Sequence, residues 1–216
     1  MPCPQTKNLL RESWPMPFYQ TAAGVAAACY MLALALLIAL HGVERQRNPV
    51  STAVSDYGTG KAAKLFKVYG AAGIIGAAAL CRAMLDYPGA EFPRAAVWCL
   101  GALAVLRLGI FAFKTDEGAF GRTREGIIHL VFAVVTFTLA YEVVSFGGPT
   151  ALAITTGPLN AAFALLGWIV PVSLGLVVVT MVLPRLRAFF GLAERAFLVS
   201  TLLWFLLLAA RLFAGA

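Results

Sequence analysis

The chain has 216 residues, of which 61% are hydrophobic and only 12% charged, about half the charged share of a soluble domain. With a mean hydropathy of +0.84, this composition excludes a disordered chain, a disulfide-stapled secreted module and an ordinary soluble enzyme. The net charge is +7, from 17 Lys and Arg against 10 Asp and Glu, and the basic residues cluster between apolar runs. That clustering points to membrane orientation and contact with anionic lipid. No groove helix, aromatic–basic interleaving or zinc spacing is present, so nucleic acid is not an expected partner.

About 20 apolar helical residues cross a bilayer core. Six segments meet that length, which predicts an all-α bundle of six transmembrane helices in a single domain. The first span, 18–40, carries no charge. It is longer than a signal-peptide core and follows a proline-bearing leader, so it is read as a retained helix. The second, 62–85, is rich in Gly and Ala, and Gly70, Gly73 and Ala77 allow helix backbones to approach closely. The third, 95–113, is interrupted by Arg107. The fourth, 126–146, carries His129 and Glu142 and ends before an uncharged loop, GGPTALAITTGP. The fifth, 159–183, contains Pro171, which predicts a kink without a break. The sixth, 192–213, has Arg211 near its end. No internal repeat is present. Cys3, Cys29, Cys81 and Cys99 lack metal-ligand spacing and read as small core residues.

With six spans, the termini share a face with loops two and four. That face carries five basic residues: Lys7, Arg11, Arg82, Arg94 and Arg211. Loops one, three and five carry eleven: Arg45, Arg47, Lys61, Lys64, Lys67, Lys114, Arg122, Arg124, Arg185, Arg187 and Arg195. The positive-inside rule then puts loops one, three and five in the cytoplasm and both termini outside, in a bacterial inner membrane. Trp14, Phe18, Tyr19, Tyr87 and Phe92 fall where aromatic belt anchors belong.

Ionisable groups at membrane depth are costly and demand a partner or a purpose. Ser55, Asp56, Arg107, Asp116 and His129 are expected to converge near the cationic face. Two carboxylates, a Ser and a His could run acid/base chemistry or hold a divalent metal, with Asp56, Asp116 and His129 as its ligands. No other cofactor is expected. His41 and His129 are the only histidines and form no HxxxH or HExxH, which argues against a histidine-rich zinc hydrolase. A triad of Ser55, His129 and Asp56 or Asp116 can be drawn, without a GxSxG to support it. The structural alternative is that Asp116 caps a turn, Asp56 neutralises Arg107, and His129 is a hydrogen-bonded interface residue.

The opposite face holds Arg82, Asp86, Tyr141, Glu142 and Arg211. Arg82 and Asp86 are spaced to pair on one helix. Glu142 lies about 140° around its helix from His129, so the two belong to separate sites. Arg82, Glu142 and Arg211 are expected to form a buried ion-pair lock. The alternative is a proton or anion relay.

The run VSDYGTG after the first span, GIFAFKTDEG closing the third and GIIHLVFAVVTF opening the fourth resemble, in that order, the DUF998 family of small polytopic membrane proteins. The family pattern has a Ser-x-x-Gly-like loop, a Phe-Pro-x-Asp-like stretch and a following His. The matching residues here are Ser55, Gly58, Asp116 and His129, over about the first 150 residues. Phe113-Lys114-Thr115-Asp116 lacks the proline, and no cysteine flanks the Asp as in some members. The resemblance implies that Ser55, Asp56, Asp116 and His129 face a common region, and it implies no established chemistry.

The leading expectation is a protein that binds, and could transport, a small molecule or lipid through a polar pocket at the loop one/loop three face. The alternatives are an intramembrane metal-dependent hydrolase or lipid-modifying enzyme, and a structural subunit of a membrane complex. Membrane lipids are the expected partners, with a small-molecule ligand beside them. Neither enzymatic activity nor oligomeric state is legible in the residues.

Overall fold

The structure, a computed structural model, describes residues 17–117 and 122–215, and among them every regular element is helical. Cys3, Lys7, Arg11 and Trp14 lie outside the described residues. Six long helices follow one another: α1 (Phe18–Val43), α2 (Ala63–Asp86), α3 (Arg94–Ala112), α4 (Arg124–Ala153), α5 (Gly157–Val182) and α6 (Phe190–Phe213). Short 3-10 turns at Val54–Gly58 and Pro184–Phe189 stand in the first and last connections. All six helices are long and apolar enough to cross a membrane, and the chain is a polytopic membrane protein. In lipid a backbone must satisfy its own polar groups, and a helix does so within one segment. Large apolar side chains such as Ile38, Trp98, Val105, Leu165 and Trp168 point outward, where a soluble protein would place charge.

Each helix packs on its neighbours in sequence, and α6 closes the ring by packing on α1. α6 also touches α2 and α4 and is the most buried of the six. Its aromatics tie it to three partners. Phe205 meets Tyr30 of α1 at 5.5 Å, Trp204 meets Phe163 of α5 at 5.6 Å, and Phe197 meets Phe137 of α4 at 4.8 Å between ring centroids. The small residues of α2 do what their size predicts. A Cβ at Gly70 would run into the Phe111 ring and one at Gly73 into the Arg107 guanidinium, so both glycines let α3 lie close. Buried hydroxyls of Thr136, Ser173, Thr180 and Ser200 bond back to carbonyls of their own helices and need no other partner.

The fourth helix is longer than expected. Its apolar pattern places it at 126–146, but α4 runs to Ala153, through Gly147, Gly148 and Pro149, for 30 residues and about 45 Å. Side chains beyond its end donate to the last carbonyls, which otherwise lack partners. Thr155 Oγ1 donates to Ala151 O at 2.7 Å, Asn160 Nδ2 to Leu152 O at 2.8 Å, and Arg211 Nε to Ile154 O at 2.9 Å. The uncharged loop shrinks to residues 154–156, and α5 continues through Pro171.

Candidate functional site

The connection from α1 to α2, residues 44–62, folds over the start of α6. Leu192 N–H donates to Val50 O at 2.9 Å, and Val54 N–H donates to the buried Glu194 carboxylate at 2.6 Å. Arg195 is the bolt of this assembly. Its Nε donates to His41 Nε2 at 2.7 Å, one terminal nitrogen to Thr52 O and Gly191 O, and the other to the Tyr57 hydroxyl at 3.2 Å. His41 Nδ1 faces Leu37 O at 2.7 Å, so it carries the hydrogen and leaves Nε2 to accept from Arg195. A Cβ on Gly191 would meet the Pro49 carbonyl oxygen at 2.7 Å and run into that of Thr52, so the glycine is what lets this loop seat. As a result Val54, Asp56 and Tyr57 are buried.

The connection from α3 to α4 joins the same end. Arg47 pairs with Glu44 within loop one and reaches Glu117 of loop three at 2.9 Å, while the Thr59 hydroxyl also bonds Glu117. These bonds set the charge states. The Thr59 hydroxyl and Arg47 hold the Glu117 carboxyl below the usual range. Burial pushes Glu44 up, but the Ala62 N–H and Arg47 outweigh it and hold Glu44 low. Asp116 caps the start of α4. It accepts from Thr123 N–H at 2.8 Å, Arg122 N–H at 2.7 Å and the Thr123 hydroxyl at 2.8 Å. The Thr123 N–H, first among these, holds its carboxyl below the usual range. Thr123 in turn is the N-cap of α4, accepting from Gly126 N–H at 3.0 Å.

Between these loops and α4 lies a cavity of about 580 Å³, lined by Ser51, Ser55, Asp56, Asp116 and His129 among others, with Arg47 and Arg187 also in its wall. Below it a chamber of about 60 Å³ holds Arg107, Glu194 and Tyr69. Ser55 and His129 line both, so they form the floor of one and the roof of the other. His129 is only 5% exposed. Its Nδ1 faces Phe113 O at 3.0 Å and carries the hydrogen, which leaves Nε2 as a buried acceptor with no partner. The Tyr69 hydroxyl in the chamber is equally without a partner and feels the charges of both Arg107 and Glu194. Arg107 makes no ion pair among the described residues.

Four of the five expected residues, Ser55, Asp56, Asp116 and His129, therefore line one cavity, and Arg107 sits one layer deeper. Their expected roles change. The metal set of Asp56, Asp116 and His129 does not assemble: among the described residues no three His, Cys, Asp or Glu side chains come together to hold an ion. The oxygens of Asp116 are occupied by the N–H and hydroxyl donors that start α4, so the residues present do not fit a divalent metal. The triad fails for a similar reason, because a backbone carbonyl orients His129 where a carboxylate would be needed. Sequence reasoning missed Glu194, Arg195, Tyr57 and Tyr69. The signal for the first two was the adjacent acid and base in GLAER at the head of an apolar span; Tyr57 lay within the VSDYGTG run, and nothing marked Tyr69.

The opposite face assembles less than expected. Arg82 and Asp86 pair at 2.5 Å, and the Arg82 guanidinium lies over the Phe18 ring. The lock of Arg82, Glu142 and Arg211 does not form. Because α4 runs on to Ala153, Glu142 lies about 18 Å along the axis from Ile154, whose carbonyl Arg211 binds together with that of Gly215. Glu142 makes no ion pair among the described residues. A groove of about 640 Å³ opens at this face between α2 and α3, walled mainly by Met84, Leu85, Tyr87, Phe92 and Trp98. It is larger than the polar cavity but lacks its convergent buried polar atoms, which are what give a pocket specificity.

The family model for proteins of unknown function, DUF998, matches residues 26–211, and the chain belongs to that family. The match extends past the motif-bearing first 150 residues to include α5 and α6. No curated protein and no solved structure matches the chain.

Proposed function

We propose that this DUF998 member binds, and could transport, a small polar molecule or a lipid headgroup through the cavity where loops one, three and five meet. The observation that carries this is His129 Nε2, a buried acceptor without a partner at the junction of two cavities. Such an atom costs about 1–3 kcal/mol unless something donates to it, and a ligand supplying a hydroxyl or N–H would remove that cost. A cavity of about 580 Å³ is of the size small-molecule sites have. The eleven basic residues of this end support placing loops one, three and five in the cytoplasm of a cell membrane, with both termini outside. The metal-hydrolase alternative draws no support from the donor set, and no observation favours a purely structural subunit.

The test is native mass spectrometry of detergent-purified protein, wild type beside Ser55→Leu, with metal analysis of the same samples. The wild type is expected to carry a bound small-molecule or lipid mass that Ser55→Leu, filling the junction, loses. Stoichiometric metal, or a bound mass indifferent to Ser55→Leu, would overturn the proposal.

A further inference from the structure

A further cavity, about 180 Å³, lies between the start of α2 and the end of α3. Phe66, Ile110 and Phe111 give it apolar walls, Lys67 and Lys114 flank it, and its inner end is again Ser55 and His129. Lys67 is exposed in the second turn of α2 and Lys114 is exposed just past the end of α3. Both thus stand where the apolar helices give way to charged loops, the depth at which lipid phosphates lie. Basic pockets between transmembrane helices at this level recognise anionic headgroups.

The inner end adds a second requirement. His129 Nδ1 is committed to the Phe113 carbonyl, so neutral Nε2 can only accept. The group that reaches it must therefore be a donor, a hydroxyl or an ammonium. Two lysines at the mouth and Arg107 in the chamber beyond oppose an ammonium, while a hydroxyl carries no charge to repel. Glu194, the acid of that chamber, accepts from the Val54 N–H and is outnumbered by these three cations. The Tyr69 hydroxyl, without a partner in the same chamber, offers a second bond to a polyol.

Resting on the pocket proposed above, we infer that its ligand is an anionic glycerophospholipid whose headgroup bears free hydroxyls. It enters laterally between α2 and α3, with its phosphate at Lys67 and Lys114 and a hydroxyl donating to His129.

The experiment is a native mass-spectrometric titration of the full chain in micelles. The probes are phosphatidylglycerol, phosphatidic acid, phosphatidylethanolamine and phosphatidylcholine with identical acyl chains. Phosphatidylglycerol is expected to bind about tenfold tighter than the ethanolamine and choline lipids, because two lysines favour its net negative charge and repel their cationic headgroups. Its glycerol hydroxyl should add about fivefold, from one neutral hydrogen bond to His129 that phosphatidic acid, lacking that headgroup, does not gain. Lys67→Gln with Lys114→Gln should bring phosphatidylglycerol down to the choline lipid. Both lysines are exposed, so the fold should tolerate the change, checked by an unaltered melt. His129→Phe should lower phosphatidylglycerol by that fivefold and leave phosphatidic acid unchanged, while both anionic lipids stay above choline. Equal binding of phosphatidylglycerol and phosphatidylcholine, or a preference that survives the double lysine change, would overturn the inference. Ethanolamine lipid matching phosphatidylglycerol would overturn the hydroxyl assignment. Soluble glycerol phosphate competing at equal concentration would overturn a lipid source. Adducts lost in Ser55→Leu but blind to the headgroup would sink this inference alone, whereas adducts indifferent to Ser55→Leu would sink the pocket itself.

Discussion

The two ends of the bundle hold similar polar residues and use them differently. At the end of loops one, three and five, partners come from far apart in the chain: Arg195 with His41 and Thr52, Glu194 with Val54, Arg47 with Glu117. At the other end Arg82 pairs with Asp86 one turn away, and Arg211 turns to backbone carbonyls. The connections explain the contrast. Loop one has 19 residues between α1 and α2, enough to fold inward over the start of α6. The connections at the opposite end, residues 87–93 and 154–156, are too short to cover the bundle. A polar site forms where chain is available to enclose it.

Four substitutions test this contrast, beginning with the one expected to matter most. Arg195→Ala removes a fork of charged hydrogen bonds and unseats loop one, and should cost about 3 kcal/mol of stability in SDS or thermal unfolding. Gly191→Ala pushes a methyl group toward the Pro49 and Thr52 carbonyls, which belong to backbone and cannot rotate away. A loss of about 2 kcal/mol in the same assay is expected. Asp116→Asn is read by pH. A carboxyl held low contributes stability that is fully present above its ordinary value and is lost as pH falls through the lowered one. Amide-exchange protection at Arg122 and Thr123 should therefore decline below about pH 4 in the wild type. In Asp116→Asn it should already be weak and insensitive to pH. Arg82→Ala, which breaks a pair within one helix and a contact over the exposed Phe18 ring, should change stability by less than about 1 kcal/mol. An Arg82→Ala loss matching that of Arg195→Ala would erase the distinction between the two ends.

Much of the molecule was legible beforehand because lipid leaves a chain few options. Six apolar runs had to be helices, and the glycines of α2 had to face close neighbours. The grouping of Ser55, Asp56, Asp116 and His129 followed from their common end of the spans. The end of α4 was not legible, because Gly147, Gly148 and Pro149 read locally as a loop. Asn160, Thr155 and Arg211 donate to the carbonyls at its end and let the helix continue. The failure of the Glu142 and Arg211 pairing follows from that same extension.

Composition and the spacing of apolar runs thus decided that this chain is a six-helix membrane protein, and they decided where its charged loops lie. Both properties depend on transfer of side chains and backbone out of water, which is additive along the sequence. Which polar atoms meet was decided only by tertiary packing. Arg195 fastening loop one, Asp116 committed to a helix start and His129 left with an open acceptor each depend on groups placed by other segments. Hydrogen bonds require direction and contact at about 3 Å, and no local run of residues specifies that.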